Sequence, residues 1–82
     1  MKKFEIGQLL RFKPDDGKGL ISYGLPCRLT DGKWKLTGER HVQVSEDDAV
    51  LVIACTTIQI EWFIGLANDR FAFLPKRGFV RL

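Results

Sequence analysis

The sequence predicts an all-β domain of about five to six short antiparallel strands, and three observations carry that prediction. Outside residues 39–64, Gly, Pro and Asp-Gly punctuation recurs every few residues to about a dozen, an interval that suits strands joined by tight turns. Between those marks apolar and polar residues alternate, as in Lys33-Trp34-Lys35-Leu36 and from Ile58 through Trp62, which is the period of a strand with one face covered. The most continuous apolar stretch, "AVLVIAC", is β-branched, and such side chains pack well on a pleated surface.

At 82 residues the chain is expected to form a single domain, 1–82, near the size at which one core barely offsets the entropy lost on folding. A 45% hydrophobic content, including two Trp and six Phe, supplies that core and argues against disorder. The net charge of +3 permits nucleic acid as a partner without demanding it, because ten acidic residues dilute the basic excess. Glu5, Gly7 and Gln8 interrupt any signal-like apolar region, and neither "AVLVIAC" nor "WFIGLA" is long enough to cross a bilayer. The expectation is a cytoplasmic protein with no membrane partner. Cys27 and Cys55 lack CxxC spacing, which in a reducing compartment reads as core thiols rather than a disulfide.

"GQLLRFKP" is the first strand, stopped by Pro14 and the turn-rich "DDGKG". "LISYGLPCRL" is the second, and Gly24 and Pro26 within it predict a bulge or an edge position, since Pro has no amide to donate to a ladder. Asp31-Gly32 is a hairpin turn signal, after which Trp34 and Leu36 take one face and Lys33 and Lys35 the other. "HVQV" alternates through Val42 and Val44 before the acidic "SEDD", which has a second reading as one helical turn capped by Ser45 with Asp48 at the capping-box offset. "AVLVIAC" is expected at the sheet centre.

In "TIQIEWFIGL" Ile58, Ile60, Trp62 and Ile64 share one face, and Gln59, Glu61 and Phe63 the other. "ANDR" reverses the chain, with Asn68 or Asp69 able to adopt a left-handed conformation. "FAFL" follows with Phe71 and Phe73 on one side, Pro75 ends that strand, and a turn through Lys76, Arg77 and Gly78 leads to "FVRL". So many short strands would leave exposed edges unless the sheet curls closed.

The order in "EWFIGLANDRFAFLPKRGFVRL", residues 61–82, resembles the C-terminal part of SH3 domains: Trp62 opening a strand, a short polar hairpin, Pro75 opening a single 3₁₀ turn, and Phe79-Val80 where the family has Tyr-Val. The resemblance implies a small SH3-like barrel with a 3₁₀ turn near Pro75, whose last strand pairs with its first. It also implies that Trp62, Pro75 and Phe79 line a partner groove, with Asp15 and Asp16 as acids of the first long loop. The aromatic "ALYDY"-type segment of the family is absent, its place taken by "GQLLRFKP", and Phe79 lacks the tyrosine hydroxyl. Recognition of PxxP peptides is therefore not implied.

No catalytic or metal constellation emerges, and no cofactor is expected. His41 is the sole histidine and has no ligand spacing to Cys27 or Cys55; Ser22 and Ser45 lack a nucleophile-elbow context; and "DGKG" is too short for a phosphate loop. The expected function is a non-enzymatic protein–protein interaction module, such as a small bacterial or phage accessory protein. An alternative is a nucleic-acid-binding barrel in which Lys13, Arg70, Lys76, Arg77 and Arg81 merge into one basic face beside stacking aromatics. A third reading is a homo-oligomer formed by self-association of exposed edges or a Trp patch. Of the two tryptophans, Trp62 is expected at a surface and Trp34 in the core or at an edge interface.

Overall fold

The structure, a computed structural model, describes residues 4–14, 20–55 and 61–82. The expectations placed on Asp15, Asp16, Ile58 and Ile60 lie outside the described residues. Among the described residues eight strands form: β1 (Leu9–Phe12), β2 (Ser22–Thr30), β3 (Lys33–Leu36), β4 (Val42–Val44), β5 (Ala49–Cys55), β6 (Trp62–Ala67), β7 (Arg70–Pro75) and β8 (Phe79–Arg81). The expected five to six is therefore too few. Even the short runs "KWKL", "VQV" and "FVR" pair, because each needs only one longer strand as a template: β3 and β4 lie along β2, and β8 along β1.

All pairings are antiparallel, in the order β3-β2-β7-β6-β5-β1-β8, with β4 on a separate stretch of β2. The sheet is open, since no pairing among the described residues joins β3 or β4 to β8. It is also curled. Val42 and Val44 of β4 share one buried cluster with Leu10 and Phe12 of β1 and Phe79 of β8, although these strands lie at opposite ends of the order. Phe63 sits within the cluster, edge-on to both Phe4 and Phe79 at 5.4 Å between ring centroids. That is the favoured geometry for rings whose edges and faces carry opposite partial charge.

β2 corrects the reading of Gly24 and Pro26 as marks of an edge or a bulge. It is an unbroken nine-residue strand with neighbours on both sides, and it accommodates Pro26 by changing partner. Ser22–Gly24 pair with β4, Leu25 and Pro26 with β7, and Cys27–Thr30 with β3. Pro26 falls where the β7 ladder ends, and its carbonyl still accepts a hydrogen bond from the Thr37 amide at 3.0 Å. The missing N–H is thus placed where the ladder stops. Gly24 is required by crowding: a Cβ there would lie 2.8 Å from both the Ala72 Cβ and a Leu74 methyl.

The hairpin turns behave as their residues predict. Asp31 (φ 52°) and Gly32 (φ 76°) join β2 to β3, and Asn68 (φ 51°) and Asp69 (φ 61°) join β6 to β7. Two successive left-handed residues match the right-handed twist of the flanking strands. The "SEDD" segment forms a turn and not a helix, yet it uses capping-box bonds. The Ser45 amide donates to Asp48 Oδ2 at 2.9 Å, and the Asp47 amide to Ser45 Oγ at 3.4 Å. After Pro75, the last residue of β7, the chain reverses through Lys76–Gly78, with the Phe79 amide donating to the Lys76 carbonyl at 3.2 Å.

Candidate functional site

Alternation gives each strand two faces, and in the middle of this sheet both are apolar. The core takes Phe63, Gly65 and Ala67 from β6 and Ala72 and Leu74 from β7. Trp62, Ile64 and Leu66 therefore lie on the outer face, opposite Pro75, Phe73 and Phe71 respectively. Leu25 of β2 pairs with Phe73 and continues this outer face, and residues two apart extend it to Cys27 and Leu29. Across the next ladder Leu29 faces Trp34 and Cys27 faces Leu36. The Trp34 indole closes the path by packing at a tilt against Phe71, ring centroids 5.2 Å apart.

Much of this outer strip faces water. Leu36 is 60% exposed, Leu29 54% and Phe71 39%, while Ile64 is buried beneath its neighbours. Beside Phe71 a groove opens where β2 parts from β7. Cys27, Leu29 and Phe71 line it, with Arg28, Glu39 and Arg70 among its polar rim. Its rim is anchored. The Arg70 guanidinium donates to the Arg40 carbonyl at 3.1 Å, and the Asn68 side-chain amide donates to the Gln43 carbonyl at 3.1 Å.

The groove residues expected from the sequence separate into two sets. Trp62 and Pro75 are direct cross-strand partners on the outer face, both half-buried, so the structure brings them together. Phe79 does not join them. It is fully buried, packed on Phe12 and Phe63 at 5.3 and 5.4 Å, because its strand delivers it to the interior opposite Phe12. Trp34 is half-buried at the edge of the sheet.

The expected merged basic face does not assemble from all five of its residues. Pairing of β1 with β8 does bring the Lys13 backbone to the final turn, with its amide bonded to the Gly78 carbonyl at 2.6 Å, near exposed Arg77. Arg81, also exposed, lies opposite Leu10. Lys76, however, is only 9% exposed, with Nζ 6.0 Å from the Phe4 ring centroid. Arg70 lies at the far end of β7, about 17 Å from Pro75 at the usual rise per residue.

A different basic surface was missed. Arg28 lies directly opposite Lys35, and Thr30 opposite Lys33, so the three cations share the face of the β2–β3 hairpin turned away from Leu29 and Trp34. From Arg28 to Leu36 only Trp34 is even partly covered, so this hairpin projects from the body as an arm. Alternation in "KWKL" shows the lysines on one face; register alone reveals that Arg28 joins them.

Among the described residues no three His, Cys, Asp or Glu side chains gather as a metal site would require, and His41 is exposed. Both cysteines are free: Cys27 is buried, and burial pushes its thiol up from 9.0 to about 11, whereas Cys55 is exposed with Sγ 3.2 Å from the Phe4 carbonyl oxygen. Among the described residues no helix is long and apolar enough to cross a membrane. No family model, curated protein or solved structure matches the chain.

Proposed function

We propose that the chain is a non-enzymatic protein-interaction module of SH3-like build that docks a partner protein on its outer sheet face. The observation that carries this reading is the apolar strip formed by Leu29, Trp34, Leu36 and Phe71, which lies in water beside a groove with a charged rim. Isolated exposed apolar residues are ordinary, but a contiguous set centred on an aromatic pair is what interaction surfaces concentrate. The SH3-like part is supported by the pairing of the last strand with the first and by the β6–β7 hairpin at Asn68-Asp69. Trp62 and Pro75 form the opposite end of the same outer face.

The test is affinity capture from nuclease-treated native lysate with the wild-type chain, Leu36→Asp and Phe71→Asp, each variant first shown folded by thermal unfolding. The expected result is a discrete protein retained by the wild type and lost by at least about tenfold with either variant, the scale of one hot-spot residue. Equal retention by all three, or no retained protein, would reject the reading. Light scattering across a concentration series distinguishes a second copy of the chain as the occupant.

A further inference from the structure

The arm's second face points to a further activity. A cation directly opposite a cation in an antiparallel pair is destabilising, the reverse of the cross-strand pairing that stabilises sheets. Arg28 and Lys35 are such a pair, and Lys33 follows two residues from Lys35 on the same exposed face. Asp31 at the turn is the one carboxylate between the two strands, and Glu39 lies beyond the end of β3. The arm therefore concentrates positive charge on one face at some cost in its own stability, and a bound polyanion would offset that cost.

We propose that the face of the β2–β3 arm carrying Arg28, Thr30, Lys33 and Lys35 binds duplex nucleic acid, with the two-stranded ribbon entering the major groove and its cations on the flanking phosphates. The dimensions agree: paired strands lie about 4.8 Å apart, and a groove about 12 Å wide admits a two-stranded ribbon. Two competitors fit less well. Single strands are held by bases stacked on aromatic rings, but Trp34 is on the opposite face, packed against Phe71. Insertion into a membrane surface would use the arm's apolar face, but Trp34 on that face is already packed against Phe71. The site shares Arg28 with the rim of the groove, while Lys33 and Lys35 lie outside that groove, and it does not rest on the protein-docking proposal.

Fluorescence anisotropy with a labelled duplex of roughly 20 base pairs, two helical turns, tests the assignment with the full chain. Three phosphate contacts predict that affinity falls about 40-fold between about 50 and 200 mM salt. Arg28→Gln with Lys35→Gln leaves one contact and reduces that salt dependence to about fourfold. Lys13→Gln with Arg77→Gln removes the same net charge away from the arm and leaves the wild-type dependence in place. Arg28→Glu, which sets opposite charges across the ladder, removes duplex binding while holding or raising the thermal midpoint.

Absence of duplex binding at about 50 mM salt overturns the proposal, as does an equal effect from the Lys13 and Arg77 pair. A lowered midpoint for Arg28→Glu overturns the like-charge premise. Binding to vesicles of anionic phospholipid without binding to duplex would assign the arm to a membrane surface instead.

Discussion

Cys27 and Cys55 are the same residue type in two different environments, and the difference is chemical as well as geometric. Thiolate is the reactive form, and burial of Cys27 disfavours the charged state, raising its titration to about 11. At pH 8 that leaves roughly one thiolate in a thousand. Iodoacetamide at that pH should modify exposed Cys55 first and reach Cys27 only after unfolding, a contrast readable by mass spectrometry of the two peptides. Similar rates for both would show that β2 opens readily. The folded thiol holds its proton more tightly than the unfolded one, so its contribution to stability is complete below pH 9.0 and is lost as pH rises toward 11. The thermal midpoint should fall across that alkaline window, less so in Cys27→Ala.

At the scale of elements, the turn between β4 and β5 holds more than its own ends. Asp48 Oδ2 accepts from the Ser45 amide at 2.9 Å and the Ser45 hydroxyl at 3.2 Å, while the Asn68 amide approaches the same oxygen at 3.5 Å. One carboxylate thereby joins the β4–β5 turn to the β6–β7 turn. Asp48→Ala should lower stability by about 1 to 2 kcal/mol, the scale of losing a cap, and Asp48→Asn should retain part of that because it keeps one acceptor oxygen. Urea unfolding of the two variants measures both values, and equal losses would deny the carboxylate its bridging role. Asp48 is legible in the sequence as a partner for Ser45, three residues away. Its link to Asn68 is not, because only folding brings together turns 20 residues apart.

At the scale of the whole molecule, one core depends on residues from both ends of the chain. Phe4, Leu10, Phe12 and Phe79 occupy the same cluster as Val42, Val44 and Phe63, so the first and last strands belong to the same core as the middle of the chain. Phe79→Ala should cost about 3 to 5 kcal/mol, the range for emptying a buried aromatic site. That approaches the whole stability of a small domain. Loss of the cooperative thermal transition is expected for this variant, while Trp62→Ala, half-buried on the outer face, should keep it. A cooperative Phe79→Ala protein with a near-wild-type midpoint would contradict the central placement of that ring.

Sequence by itself determined what is local. Period-two alternation marks strands, and Asp31-Gly32 and Asn68-Asp69 mark hairpins, because backbone sterics act within a few residues. Tertiary structure decided which face of each strand is inside. Along β6 and β7 the two faces are almost equally apolar, so Trp62, Ile64, Phe71 and Phe73 could as well have formed the core from pattern alone. The inward choice falls to Phe63, Gly65 and Ala72 because the curled sheet leaves limited room there. A Cβ at Gly65 would already lie 2.6 Å from a Val50 methyl. The irregularity between Val52 and Ala54 further shifts the phase of β5, which no period predicts. Partner changes along β2, and hence the projecting arm with Arg28 opposite Lys35, arise from long-range pairing that composition and spacing do not encode.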